Sequence, residues 1–122
     1  MGEIYQSLRI RWKRTIRIEA LIDTGADTSI IKEKYANQAG LPKIRNSYVF
    51  FGGTIRVPSI ESAMFVLVGK RETISPVEIV KNHVIDKNLI LGQDFLQNKD
   101  VVIDYRIDKI RLLRKKPKYH RL

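Results

Sequence analysis

The residues best able to do chemistry in this chain are the carboxylates of Asp23-Thr24-Gly25-Ala26-Asp27, set between two apolar arms, Ala20-Leu21-Ile22 and Ser29-Ile30-Ile31. A charged carboxylate among hydrophobes is costly unless something pairs with it. An Asp held between two buried segments is therefore either well satisfied or poised for proton transfer. Gly25 permits close backbone approach and unusual dihedrals, and the Thr24 hydroxyl can donate and accept hydrogen bonds. Asp, Thr and Gly are also common β-turn formers, and a bare Asp-Thr-Gly would be read as a turn and nothing more. Two features favour a catalytic turn: the apolar arms, and a second apolar run ending in glycine, Leu89-Ile90-Leu91-Gly92, far downstream.

The elements that would hold this turn can be read from periodicity. Leu8 to Trp12 and Thr15 to Ile22 alternate as strands joined at Lys13-Arg14, and the second runs directly into Asp23. Lys32 to Ala39 suits a helix, with Ile31, Tyr35 and Ala39 four residues apart and Gly40 and Pro42 as a stop. Ser47 to Phe51 and Thr54 to Val57 flank Gly52-Gly53 as a hairpin. Glu61 to Val68, Val77 to Val80 and Val84 to Leu91 are further short strands, with a turn at Gly69-Lys70-Arg71. Val101 to Tyr105 and Lys109 to Leu113 form a last hairpin around Arg106-Ile107-Asp108. Trp12 reads as a packing residue at a hairpin end, and His83 as a surface residue of a connection.

Three segments together resemble the retropepsins, the retroviral-type aspartic proteases, in order and spacing. Leu21-Ile22-Asp23-Thr24-Gly25-Ala26-Asp27-Thr28 matches their active-site motif, Gly52-Gly53-Thr54-Ile55-Arg56-Val57 is similar to their flap, and Leu91-Gly92-Gln93-Asp94-Phe95-Leu96 to their closing strand and helix. The resemblance implies an all-β fold: a closed β-barrel, half of an acid protease, with a flap hairpin and one or two short helices, assembled as a twofold homodimer. The helix after Ile31 resembles LTR-retrotransposon and pararetroviral members. It also implies an aspartic endopeptidase acting on polyprotein, in a virion or host-cell cytoplasm, with no metal or organic cofactor.

Peptide hydrolysis by carboxylates needs one group to take a proton from water and another to give one. The chain holds a single Asp-Thr-Gly, so two chains are expected to build one site, their Asp23 carboxyls sharing a proton. By resemblance, Thr24 bonds across to the partner's turn, Gly25 and Asp27 hold the substrate backbone, and Ala26, Ile30, Phe51 and Ile90 shape side-chain pockets for an extended, mainly apolar peptide. Gly52 and Gly53 supply mobility and amides at the flap tip. Tyr5 to Ile10 and Lys109 to Leu113 are the terminal segments expected to interleave across the interface. The chain departs from the family at Val49 and Phe50, where glycines are frequent, and at Gln93, where many members carry an arginine that pairs with the aspartate matching Asp27. An arginine from Arg9 to Arg17 is the expected substitute.

At 122 residues the chain makes one domain, 1–122, with 115–122 expected to fray as a basic tail. It has no cysteine, hence no disulfide or thiolate metal site. No apolar run is long enough to cross a bilayer and no signal-peptide pattern opens it, so a secreted or membrane-spanning protein is not expected. The net charge of +10 gathers at Arg9 to Arg17 and Arg111 to Arg121. Its alternating pattern favours a solvated strand face over a nucleic-acid site. Two rival readings are a retropepsin-like module kept for dimerisation or binding without turnover, and a basic nucleic-acid-binding β domain.

Overall fold

Strict alternation makes the first two strands. In β1 (Ile4–Arg11) and β2 (Thr15–Ile22), which pair antiparallel from Ile4↔Ile22 to Arg11↔Thr15, every second residue faces inward, so Leu8, Ile10, Ile18 and Ala20 are buried. The computed structural model describes residues 3–113; the expected basic tail lies outside them. The turn after β1 is fixed by the amides of Lys13 and Arg14, which both donate to Ala39 O at 2.9 and 3.1 Å. Ala39 ends α1 (Glu33–Ala39), whose stop is Gly40 in the left-handed region at φ 68°. Arg14 adds side-chain bonds to the last-turn carbonyls of Asn37 and Gln38, a cation where the helix dipole favours one.

The remaining elements are β3 (Ile30–Lys32), β4 (Arg45–Phe51), β5 (Ile55–Val68), β6 (Arg71–Val80), β7 (Leu89–Leu91), α2 (Gln93–Leu96), β8 (Val101–Asp104) and β9 (Lys109–Leu112). The main sheet runs β1-β2-β7-β3-β6-β5-β4, and a β1–β5 pairing at Arg9–Arg11 closes six of these strands into a barrel. β4 hangs outside the ring on β5. Leu8, Ile10, Ile31, Met64, Val66, Leu89, Leu91 and Phe95 fill the barrel. A second cluster, Ile30, Val49, Val80 and Ile85, with Phe51, Val57 and Ile90 against it, packs under the β4–β5 hairpin.

Three strands differ from the sequence reading. The separate strands expected at Thr54–Val57 and Glu61–Val68 are one 14-residue strand, β5. β6 begins at Arg71, not Val77. Pro58 and Pro76 lie within these strands, each where one flank is free: β6 joins β5 only from Ile60, and β3 joins β6 only from Glu78. The expected strand Val84–Leu91 shrinks to Leu89–Leu91, because Ile85 is buried in the hairpin cluster rather than in a ladder.

The chain ends are used within the chain. Tyr5 to Ile10 lies inside β1, paired along its length with β2. The buried Gln6 carboxamide accepts from Ile110 N at 2.8 Å and donates to Ile110 O at 3.3 Å, and Arg71 takes Leu112 O at 2.8 Å. Side chains of β1 and β6 thus meet the β9 backbone at Ile110 and Leu112. Among the described residues no helix is long and apolar enough to cross a membrane.

Candidate active site

The Asp23 turn is positioned by an insertion. β7 lies between β2 and β3, parallel to the first at Ile22↔Leu91 and antiparallel to the second at Ile30↔Ile90. The segment from Asp23 to Ser29 therefore arches over the end of β7, with Asp23 N donating to Leu91 O at 2.9 Å. Gly92 passes directly beneath. A Cβ there would stand 2.7 Å from Ala26 O and 2.9 Å from Thr28 O, a clash with backbone that only glycine avoids.

Beyond Gly92 the start of α2 is bonded to the turn. Gln93 N and Asp94 N donate to Ala26 O and Asp27 O at 2.7 and 3.1 Å. The Asp94 carboxylate accepts from Ser29 N at 3.0 Å and from Ser29 Oγ at 2.5 Å. Ser29 is fully buried, and its Oγ in turn accepts from Gly92 N at 3.0 Å. The Ser29–Asp94 pair escaped the sequence reading, since residues 65 apart carry no periodic signal linking them. The only hint was the apolar run that delivers Asp94 two residues after Gly92.

Asp23 itself is half-buried. Its Oδ1 accepts from Gly25 N at 3.0 Å and its carbonyl from Ala26 N at 3.2 Å. Among the described residues its side chain has that one hydrogen bond, leaving carboxylate capacity for a ligand. Asp23, Gly25, Ala26, Asp27, Ile30, Phe51, Gly52, Gly53 and Ile90 all border one cavity of about 540 Å³ between the turn and the β4–β5 hairpin. Thr28, Tyr48, Val49 and Phe50 border it too and were not anticipated. Thr24 alone of the nominated residues is not among them. It lies exposed on the turn, where its carbonyl accepts from Gln93 Nε2 at 2.6 Å.

The expected arginine partner for Asp27 is not found. Arg9 bonds Gly69 O at 2.5 Å, Arg11 bonds Glu72 at 2.8 Å, Arg14 bonds Gln38 O at 2.6 Å and Arg17 bonds Ser7 Oγ at 3.3 Å. These side chains start from the far end of the β1–β2 hairpin and cannot reach the turn. Asp27 is exposed, and Gln93, which could have held it, is turned onto Thr24 instead. Among the described residues no three His, Asp or Glu side chains gather to hold a metal ion.

The sequence model of the family described as "gag-polyprotein putative aspartyl protease" matches residues 13–98, which include β2, the turn, the hairpin and α2. The chain belongs to this family. Solved structures agree on the fold of this gag-type aspartyl protease domain. The retroviral protease-like domain of Ddi1 from Leishmania major superimposes with a TM-score of 0.65 at 16% identity, covering 92% of this chain and 89% of that one. The EIAV protease complexed with the inhibitor HBY-793 gives 0.64 at 20% identity, covering 80% and 88%. A retropepsin-like aspartic protease from Rickettsia conorii gives 0.56 at 22%, covering 84% and 77%. None of the curated proteins compared with the chain matches it. The domain is a retropepsin-like aspartic protease in family and fold.

Proposed function

We propose that the chain is an aspartic endopeptidase that cleaves polyprotein peptide bonds as a homodimer. The observation that carries this is Asp23, whose carboxylate is anchored by Gly25 N at the border of an open cavity about 540 Å³ in volume. One chain supplies one such carboxylate, and general acid–base hydrolysis needs two groups. In a twofold pair the Asp23 side chains would approach on the axis, where two like charges do not both ionise and a proton is shared. The ionised member takes a proton from water, and the protonated one polarises the scissile carbonyl. Gly25 and Asp27 are suited to hold the peptide backbone, and Ala26, Ile30, Phe51 and Ile90 to receive apolar side chains.

In this reading the β4–β5 hairpin is the flap, with Phe51 on its inner face and Gly52 and Gly53 at its tip. Contact between subunits would include the two turns, with Thr24 bonding across. It would also draw on the terminal segments Tyr5 to Ile10 and Lys109 to Leu113, and on β8, which among the described residues pairs only with β9.

Asp23→Asn keeps the shape and removes the base. Hydrolysis of a peptide spanning the flanks of the domain should fall to background while sedimentation and melting stay as in the parent. A variant cutting at near the parent rate would remove Asp23 from catalysis. In the parent, a pepstatin-type inhibitor should abolish cleavage. Activity should also fall more steeply than linearly on dilution, because the active fraction is the dimer fraction. A species that sediments as a monomer and stays fully active would end the shared-site reading.

A further inference from the structure

Five cations of this chain, Arg9, Arg17, Lys70, Arg71 and Arg111, lie on one side of the barrel. Arg9 and Arg17 stand directly opposite each other on β1 and β2, a like-charge pair that costs stability where no counter-charge intervenes. Arg9 turns to Gly69 O and Arg17 to Ser7 Oγ, and among the described residues neither meets a carboxylate. Gly69 opens the turn between β5 and β6, and it carries the exposed Lys70 and Arg71. Arg71 reaches Leu112 O, beside the exposed Arg111 on β9. Lys70, Arg71 and Arg111 border a hollow of about 310 Å³ over Val68 and Leu112. Of the carboxylates near these cations, Glu72 is held by Arg11 at 2.8 Å and Asp104 by Arg106 at 3.0 Å and Arg111 at 3.9 Å, while the exposed Glu19, opposite Ser7 and two residues from Arg17 on β2, is one acidic group against five cations.

We propose that Arg9, Arg17, Lys70, Arg71 and Arg111 form a binding surface for the phosphate backbone of a single-stranded nucleic acid. Four of the five are arginines, whose planar forks match phosphate oxygens in pairs. Folding brings them together from segments far apart in sequence. The described chain ends at Leu113, next to Arg111, and the sequence beyond it adds Arg114, Lys115, Lys116, Lys118 and Arg121. A lipid surface fits less well, because it takes several protruding apolar residues, whereas beside these cations Leu113 alone is exposed, Leu112 being buried and Val68 half-buried. Trp12 and Phe65, the aromatics of this side, are stacked on each other at 5.6 Å with Arg11 over Phe65 at 4.4 Å. They are engaged with one another rather than with bases, so binding should tolerate any base sequence. The surface is separate from the cleft: Arg17 on β2 and Asp23 just past its end are six residues apart, about 20 Å at strand rise.

The test is anisotropy of a labelled oligouridylate with the full chain over a salt series. Affinity should fall linearly on a log–log plot, by about 0.7 in slope per phosphate contact. Arg9→Ser/Arg17→Ser should flatten that slope by about 1.4 and leave peptide cleavage unchanged. Lys34→Ser/Lys43→Ser, which removes two exposed cations elsewhere, should leave the slope as it is. If the double arginine variant fails to fold, Arg17→Ser alone should flatten the slope by about 0.7. The proposal is overturned if the parent does not bind RNA near physiological salt, if both double variants weaken it equally, or if neither does. Binding to phosphatidylserine vesicles without binding to RNA would also overturn it and assign the patch to membranes.

Discussion

The Asp23 turn and the tip of the β4–β5 hairpin face each other across one cavity and are held in opposite ways. The turn is fixed from below at almost every residue: Asp23 N by Leu91, Ala26 O by Gln93, Asp27 O by Asp94, and Ser29 by the Asp94 carboxylate. At the hairpin tip a single backbone bond, Thr54 N to Phe51 O at 3.3 Å, closes the turn. Gly52 and Gly53 have positive φ, and a Cβ on either would meet nothing within 4 Å. The hairpin's base differs from its tip, since Val49 is buried and Phe51 and Val57 pack on Ile30 and Val80. In the proposed dimer the Asp23 carboxylate meets its twin and has to be rigid, because catalytic geometry tolerates little displacement. In the same proposed reading the hairpin is a cover that admits and releases a peptide, which needs few contacts at its moving end.

Substitutions on the two sides should therefore differ in size and kind. Gly92→Ala forces a methyl against the Ala26 and Thr28 carbonyls. It should cost about 3 kcal/mol or more and abolish cleavage, read as a large fall in melting temperature; a normally folded, active variant would break the account of the turn. Asp94→Ala leaves the buried Ser29 amide and hydroxyl without their acceptor. We expect a loss of about 2 kcal/mol and a lowered kcat. If Asp94→Ser recovers most of the stability that Asp94→Ala loses but not kcat, the carboxylate's reach rather than its polarity sets the turn.

On the hairpin, Phe51→Ala should mainly raise KM, roughly tenfold for about 1.4 kcal/mol of packing lost over the peptide, with kcat near the parent value. Unchanged kinetics would take Phe51 out of the site. The smallest effect is expected for Gly52→Ala, which has open space and only its left-handed backbone to penalise it. About 1 kcal/mol of strain should appear as slower closure with little change in melting temperature. A melting loss as large as that of Gly92→Ala would erase the contrast between the two regions.

Much of this was legible in the chain itself. Alternation at Leu8 to Ile22 wrote the first hairpin, and Gly40 and Pro42 wrote the stop of α1. The apolar arms around Asp23-Thr24-Gly25 marked the turn before any fold was in view. These are local facts, set by side-chain period and by the dihedrals that glycine and proline permit. Lost were the continuous β5 and the early start of β6, because whether Pro58 or Pro76 breaks a strand depends on which of its edges has a neighbour. Lost too was the partner of Asp27: the sequence offers arginines at Arg9 to Arg17, and the fold sends them to the other end of the barrel while turning Gln93 onto Thr24. The chain by itself determined where the Asp23 turn lies and which apolar arms flank it. The tertiary structure alone decided that β7 enters between β2 and β3, that Gly92 passes under Ala26, and that Asp94 closes on Ser29, because each is a contact between segments whose separation along the chain leaves no periodic trace.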